Sequence, residues 1–458
     1  MQGPRLLLHL GALAGTLLLS GCFGNGPILA TPTSPTTPTT PTTPTVPATP
    51  GGNFTTTWFL GDSITAGFQS GSLIDTSQPN GWAPLVAKQV NFSITLPLIA
   101  SPGAPNQLTL VHLGPPPVLG QLSGVSAGRD NPTVQPTDVA VPGAVLNDVL
   151  NAQPTANPTT GQGTLNTLIL GYPGIAAGRF LGQAQLAANA KPTTIFLWIG
   201  NNDALAGATS GSPLLLTPLS SFTTQYQTLI TYLTNNTTAH LVIANIPDVT
   251  ALPSLQPAAA ILAQYSAATS IPVATLSLTF GIVPGDLVTQ QGLTEITAIL
   301  AGTQKSTLSD AGVLTAAEAT TVRTMVNSYN SVIASNATAS GATLVDINAL
   351  FASITASGIT LNGVPGNASF LGGFFSLDGV HPTNTGYAII ADKFIDTMNT
   401  AFKTTVADVN VAAIAAVDPL FPPYPGHKGL RPPVTGYVMP PLPPNAAEHL
   451  KELLGAQK

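Results

Sequence analysis

Thr194-Ile195-Phe196-Leu197-Trp198-Ile199-Gly200-Asn201-Asn202-Asp203 is the stretch that decides the fold. A threonine and five apolar residues follow one another without alternation, the pattern of a strand covered on both faces. Gly200 ends the run, and short polar side chains suited to a helix start come next. Residues 56–60, 138–141, 240–246 and 343–347 read the same way, ended by Gly61, by Pro142-Gly143, by Pro247 and, for the last, with no such signal. Helical patterns lie between them. Phe222, Tyr226, Leu229, Ile230 and Leu233 form one stripe over residues 222–234. Thr315-Ala316-Ala317-Glu318 is a capping box that opens a helix toward Ala339, stopped before Gly341. Tyr387, Ile390, Phe394 and Met398 keep helical register over residues 384–402. This alternation predicts the α/β class: a three-layer α/β/α sandwich on a mainly parallel five-stranded sheet. Ligands of such sheets sit beyond the carboxyl ends of the strands.

Two stretches exceed what a minimal sheet needs, residues 91–136 and 251–310. Both are apolar with Gly and Pro breaks, and both are expected to wall a substrate cleft, packing insertions being the plainer alternative. Trp58 and Trp198 fall on core strands, which leaves Trp82 as the tryptophan expected near that cleft.

The chain has 458 residues, 44% hydrophobic and only 7% charged, enough to bury a sizeable core. Its net charge is −6 with 13 Lys plus Arg and no basic cluster, which argues against nucleic acid as a partner. The two ends read differently from the middle. Arg5 and the apolar run 6–19 predict a signal peptide over residues 1–21. Leu19-Ser20-Gly21-Cys22 resembles a bacterial lipobox, so Cys22 is the expected lipidation site and the membrane an expected partner through it. It is the single cysteine, so no disulfide can form within the chain. Residues 22–52 then form a Thr/Pro-rich linker, its 31–50 core favouring polyproline II. Residues 53–403 form the folded domain. Residues 404–458 form an Ala/Pro-rich tail that lies on the domain or trails from it, with a short polar helix over 446–454. The expected location is the bacterial cell envelope, at the outer membrane or surface.

The chemistry sits in four short blocks: Gly61-Asp62-Ser63-Ile64, Pro142-Gly143-Ala144, Gly200-Asn201-Asn202-Asp203 and Asp378-Gly379-Val380-His381-Pro382. A serine hydroxyl is a poor nucleophile without a base in hydrogen-bond reach. His381 is the candidate base for Ser63. Asp378, three residues earlier, can fix the imidazole's tautomer from the same loop. Among the 6 histidines, His9 falls in the signal segment, and His112, His240, His427 and His449 lack a carboxylate in a comparable loop. Gly143 can bring a backbone N–H close to a developing oxyanion, Asn202 can add its amide, and the Ser63 N–H is a third donor. Plainer readings stand beside two of these: a turn glycine at 143 and a cap for the next helix at Asn202. Asp62 and Asp203 are expected to bond backbone and shape their loops. No His/Cys/Asp cluster has metal-ligand spacing, and no cofactor is expected.

These blocks resemble the four blocks of the SGNH (GDSL-type) hydrolase family over roughly residues 56–402, with Asn202 at the block asparagine and Asn201 at a variable place. Asn245-Ile246-Pro247-Asp248-Val249-Thr250 is also similar to a segment of the bacterial GDSL-type lipases. Ile64 stands where the family name has leucine. The resemblance implies a flavodoxin-like sandwich, no metal, and hydrolysis of carboxylic esters through an acyl-serine, with a small-molecule ester as substrate. A lipase- or esterase-like activity is the first expectation. A carbohydrate O-acetylesterase of the same fold and a surface-binding lipoprotein without catalysis are the alternatives.

Overall fold

The computed structural model describes residues 52–113 and 117–424. The signal peptide, Cys22, nearly all of the Thr/Pro-rich linker and the helix expected over 446–454 lie outside them.

Four strands form the central sheet: β1 (Thr57–Gly61), β2 (Thr194–Trp198), β3 (His240–Ala244) and β4 (Thr343–Val345), hydrogen-bonded in that order and all parallel. Every residue of β1 and β2 is buried, as their unbroken apolar runs require. Phe59 and Phe196 face each other in register across these strands, with rings stacked at 4.8 Å. The chain is thus an α/β protein, with helices packed over the sheet.

The expected strand at 138–141 is the correction, since the sheet has four strands and not five. The segment does run along the free edge of β1: Phe59 donates to Thr137 O, while Val139 and Val141 donate to Phe59 O and Gly61 O. Only one parallel bridge forms, between Phe59 and Asp138. Asp138 Oδ1 accepts from the N–H of Ala140, a local turn that competes with an extended ladder.

The helices that bear on the site are α1 (Trp82–Gln89), α2 (Gln183–Ala190), α3 (Asn201–Thr209), α4 (Leu219–Asn236), α5 (Ala258–Thr269), α6 (Val273–Phe280), α7 (Gln290–Leu300), α8 (Ala316–Ser340), α9 (Ile347–Ser357) and α10 (Asn384–Phe402). α4 packs on α2 and α8, and α1 packs on α10. The capping box holds as expected: Glu318 Oε2 accepts from the Thr315 N–H at 2.9 Å and Thr315 Oγ from that of Glu318 at 3.3 Å. Gly341, at φ +72, ends the helix. Trp82 is a second correction. It opens α1 fully buried and stacks on Phe394 at 4.0 Å, so it belongs to the core and not to a cleft.

Insert 251–310 builds a core of its own. α5, α6 and α7 bury Ile261, Leu262, Tyr265, Leu276, Phe280 and Ile296 against one another. Three two-residue antiparallel strands, Gln256–Pro257, Leu287–Val288 and Val313–Leu314, close this module at its base. The two ends of the domain meet the same pole. Asn53 O accepts from Thr194 Oγ at 2.7 Å, at the amino end of β2, and Phe54 packs edge-on against Phe402 at the end of α10. The chain then returns. Asp418 Oδ2 accepts from both the N–H and the hydroxyl of Thr385 at 2.7 Å, and Tyr424 is buried with its hydroxyl on Leu371 O. Residues 404–424 therefore lie on the domain.

Candidate active site

Three of the four blocks meet beyond the carboxyl ends of β1 and β2, as a parallel sheet predicts. After β1 the chain makes a single tight turn, with Ala66 N–H on Asp62 O and Phe68 N–H on Ser63 O. This turn raises Ser63, with its Oγ 2.8 Å from His381 Nε2. His381 Nδ1 lies 2.9 Å from Asp378 Oδ2. Burial works against the charge on Asp378. His381 and the N–H groups of His381 and Val380 outweigh it and hold the carboxyl below its usual range. An ionised Asp378 can only accept, so the neutral imidazole carries its proton on Nδ1 and presents a lone pair to Ser63 at Nε2. A hydroxyl so placed can pass its proton to the ring as it attacks an electrophile.

Pro382 and the N-cap Thr383, whose hydroxyl accepts from Gly386 N–H at 3.0 Å, fix the histidine loop to α10. Sequence reading missed further supports. Gly71 N–H donates to Asp378 Oδ2 at 2.6 Å. Gln69 and Ser72 pair across a two-residue turn in which Ser70 and Gly71 both have positive φ, 52° and 74°. The adjacent Ser70-Gly71 between polar neighbours was the available signal. Phe68 packs its ring 4.7 Å from the imidazole, and Tyr387 Oη holds Phe68 O at 2.6 Å.

The block asparagine lies at the start of α3. Gly200, at φ +110, turns the chain from β2 into that helix, and a Cβ there would sit 2.8 Å from Ile246. Asn202 Nδ2 donates to Ala144 O at 2.9 Å, which spends one amide hydrogen and leaves the other. That bond ties α3 to the Val141-Pro142-Gly143-Ala144 turn. Pro at its second place, Gly143 at φ +79 and the 3.1 Å bond from Ala144 N–H to Val141 O make it type II. Gly143 is therefore a turn glycine, and an exposed one. Among the described residues, neither its N–H nor that of Ser63 meets an acceptor.

The two flanking aspartates shape loops. Asp62 is fully buried, accepts from the amide of Asn201 at 2.8 Å and from Ile64 N–H at 3.1 Å, and is pushed up to about 6 by burial despite those bonds. Asp203 accepts from Leu146 N–H and the Thr217 hydroxyl, and burial raises it to about 6 as well.

Ser63, Asn202 and His381 are among the residues that line an apolar cavity of about 610 Å³, a volume that includes open solvent. Its other walls include Leu205, Val249, Leu252, Leu350, Phe351 and Phe375. Pro247 and Val249 come from the segment after β3, and α9 supplies Ile347, Leu350 and Phe351. The expectation that both inserts wall the cleft is corrected. Residues 91–136 contribute none of its lining, and residues 251–310 contribute Leu252. α9 and the end of β3 already close that side. Trp198 packs in the core as expected, 1% exposed against Trp82 and Phe394, and also lines the cavity. Gly143 is joined to this site through Ala144 and Asn202 and does not line the cavity. Among the described residues, no group of three or more His, Cys, Asp or Glu side chains could hold a metal ion.

Fold and site together define a hydrolase of the α/β class. The chain belongs to the GDSL-like lipase/acylhydrolase family, whose model matches residues 58–394, and it is an ester hydrolase. The solved structures it is similar to include three hydrolases. The α/β hydrolase LAE5 from the metagenome of Lake Arreo, Spain, is 11% identical, with TM-score 0.34 over 76% of this chain and 97% of that one. Phospholipase A1 from Streptomyces albidoflavus NA297 is 15% identical, with TM-score 0.33 over 77% and 100%. The lipase/acylhydrolase from Enterococcus faecalis is 10% identical, with TM-score 0.32 over 77% and 100%. None of the curated proteins compared matches the chain.

Proposed function

We propose that this ester hydrolase is lipase- or esterase-like, cleaves carboxylic esters with apolar acyl groups through an acyl-Ser63, and works at the cell envelope, tethered through lipidated Cys22. The observation that carries the reading is the Ser63–His381–Asp378 line, at 2.8 and 2.9 Å, opening onto an apolar cavity. In this reading Ser63 Oγ attacks the ester carbonyl as its proton passes to His381 Nε2, and Asp378 stabilises the imidazolium. The N–H groups of Ser63 and Gly143 and the free amide hydrogen of Asn202 receive the oxyanion. Collapse breaks the bond to the alcohol, which leaves with the proton from His381. Water then enters, gives its proton to His381 and displaces the acid from Ser63 by the same path in reverse.

The lining of Leu205, Leu252, Leu350 and Phe351 favours a hydrocarbon acyl chain over an acetyl group on a sugar, since apolar surface rewards burial of methylenes at about 0.8 kcal/mol each. The tether rests on the lipobox alone, and among the described residues no single helix is long and apolar enough to cross a membrane. The test is Ser63→Ala measured on p-nitrophenyl esters of graded acyl length and on acetylated sugars. Wild-type turnover should favour the longer acyl chains, and the variant should lose nearly all turnover and all labelling by a fluorophosphonate while keeping its circular dichroism. Undiminished hydrolysis in that variant would end the reading, and a preference for acetylated sugars would replace the acyl-chain part of it.

A further inference from the structure

From residue 249 to residue 285 the chain carries no Asp, Glu, Lys, Arg or His. α5 and α6 lie inside this stretch, and their inner faces form the core of the insert module. A helix that covers a core in water ordinarily turns charged side chains outward. α5 turns out Ala259, Ala263, Ala267 and Ala268, α6 turns out Val273, Ala274 and Leu278, Ser270 and Pro272 are exposed between them, and the chain that follows exposes Val283 and Pro284. Leu278 is 75% exposed and Val283 56%. The pair is apolar enough in length and composition to enter lipid, yet it bends by 118° and buries its inner side chains in the module, so it suits lying in a bilayer's surface and not crossing it.

We propose that the corner formed by α5 and α6 is a docking surface for an electrically neutral phospholipid bilayer. Two features select lipid over a protein partner. First, neither helix nor the turn between them carries a charged residue, where a protein interface keeps a polar, charge-bearing rim around its apolar centre. Second, the module is rooted at the site: Ser254 N–H donates to Gly379 O at 3.0 Å, between Asp378 and His381, and Leu252 lines the cavity. Docking here brings the cavity to the place where acyl chains are concentrated. With no Lys or Arg in the stretch, attraction to anionic headgroups contributes nothing, so docking is insensitive to salt. The inference takes its purpose from the acyl-ester reading above, but its measurement involves no turnover.

The full chain with Cys22→Ser, free of its only thiol, receives one new thiol at Leu278→Cys or, as reference, at Thr228→Cys on the exposed side of α4. Each is labelled with a polarity-sensitive fluorophore and mixed with phosphatidylcholine vesicles brominated in their acyl chains. The label at position 278 should shift to shorter wavelength and be quenched, equally in low and high salt, while the label at position 228 stays unchanged. The proposal is overturned by no shift at 278, by equal shifts at both positions, by a shift that needs anionic lipid, or by a shift at 278 that appears with rising protein concentration and no vesicles. Ser63→Ala tests turnover without vesicles, so either reading can fail while the other stands.

Discussion

At the scale of the residue, the site works through hydrogen-bond supply. Asn202 spends one amide hydrogen on Ala144 O, so its orientation is set before any substrate arrives. Asn202→Ala should lower kcat toward a short-chain ester by about 10²–10³-fold, the usual effect of losing one oxyanion donor, with a much smaller change in KM. A loss under about threefold would remove Asn202 from the oxyanion site. Ser63, Asp378, His381 and Asn202, which the structure brings to one cavity region, could be singled out in the sequence because each carries a distinctive functional group in a short block. Their supports could not. Gly71 donates a backbone N–H, Ser70 a conformation and Phe68 a ring face, and any residue run with a suitable turn can supply a backbone donor. Gly143 was legible as a glycine. Its type II turn, with an N–H left free, needed coordinates.

At the scale of the element, the strands and long helices followed from burial period and caps, and the failures have local causes. The edge segment at 138–141 was misjudged because its apolar run conceals an aspartate that bonds its own backbone. Trp82 was misplaced because the sequence offers no sign of Phe394, its stacking partner more than three hundred residues later. For the tail the sequence left open whether it lies on the domain or trails from it, because nothing near Asp418 names its partner on α10. The structure buries Asp418, with Thr385 and Leu420 as donors. Asp418→Ala should leave the Thr385 and Leu420 donors unpaired and lower unfolding free energy by about 1–3 kcal/mol in a denaturant titration. An unchanged midpoint would mean that the return segment adds nothing to the domain.

At the scale of the whole molecule, buried acids set the response to pH. Burial raises Asp62, Asp203 and Asp392 each to about 6. Unfolded, such groups titrate near pH 3.9. Between about pH 4 and pH 6 the folded state therefore holds more protons than the unfolded one, and stability falls as pH rises through that window. Asp378 has the opposite sign. Its lowered value contributes stability that is present above the unfolded value and lost only as pH falls through the folded one, below about pH 4. The thermal midpoint should accordingly be higher at about pH 5 than at about pH 7. A midpoint that rises over that interval would show that these carboxylates ionise normally inside the fold.

The position of residues 53 and 54 has a mechanical consequence. They join the domain at the amino ends of the strands, beside Thr194 and Phe402, while Ser63 stands at the opposite pole. A chain moored at Cys22 by a short leash would hold its reactive pole pointing away from its own bilayer. The twenty-nine residues between that cysteine and Gly52 are enough, at about 3.1 Å each, to reach about 90 Å, more than the width of the domain. If the proposed anchor at Cys22 holds, such reach would let the body capsize and graze the surface below it, and progressive shortening of the Thr-Pro run should silence attack on that surface at a threshold length while leaving freely diffusing esters untouched.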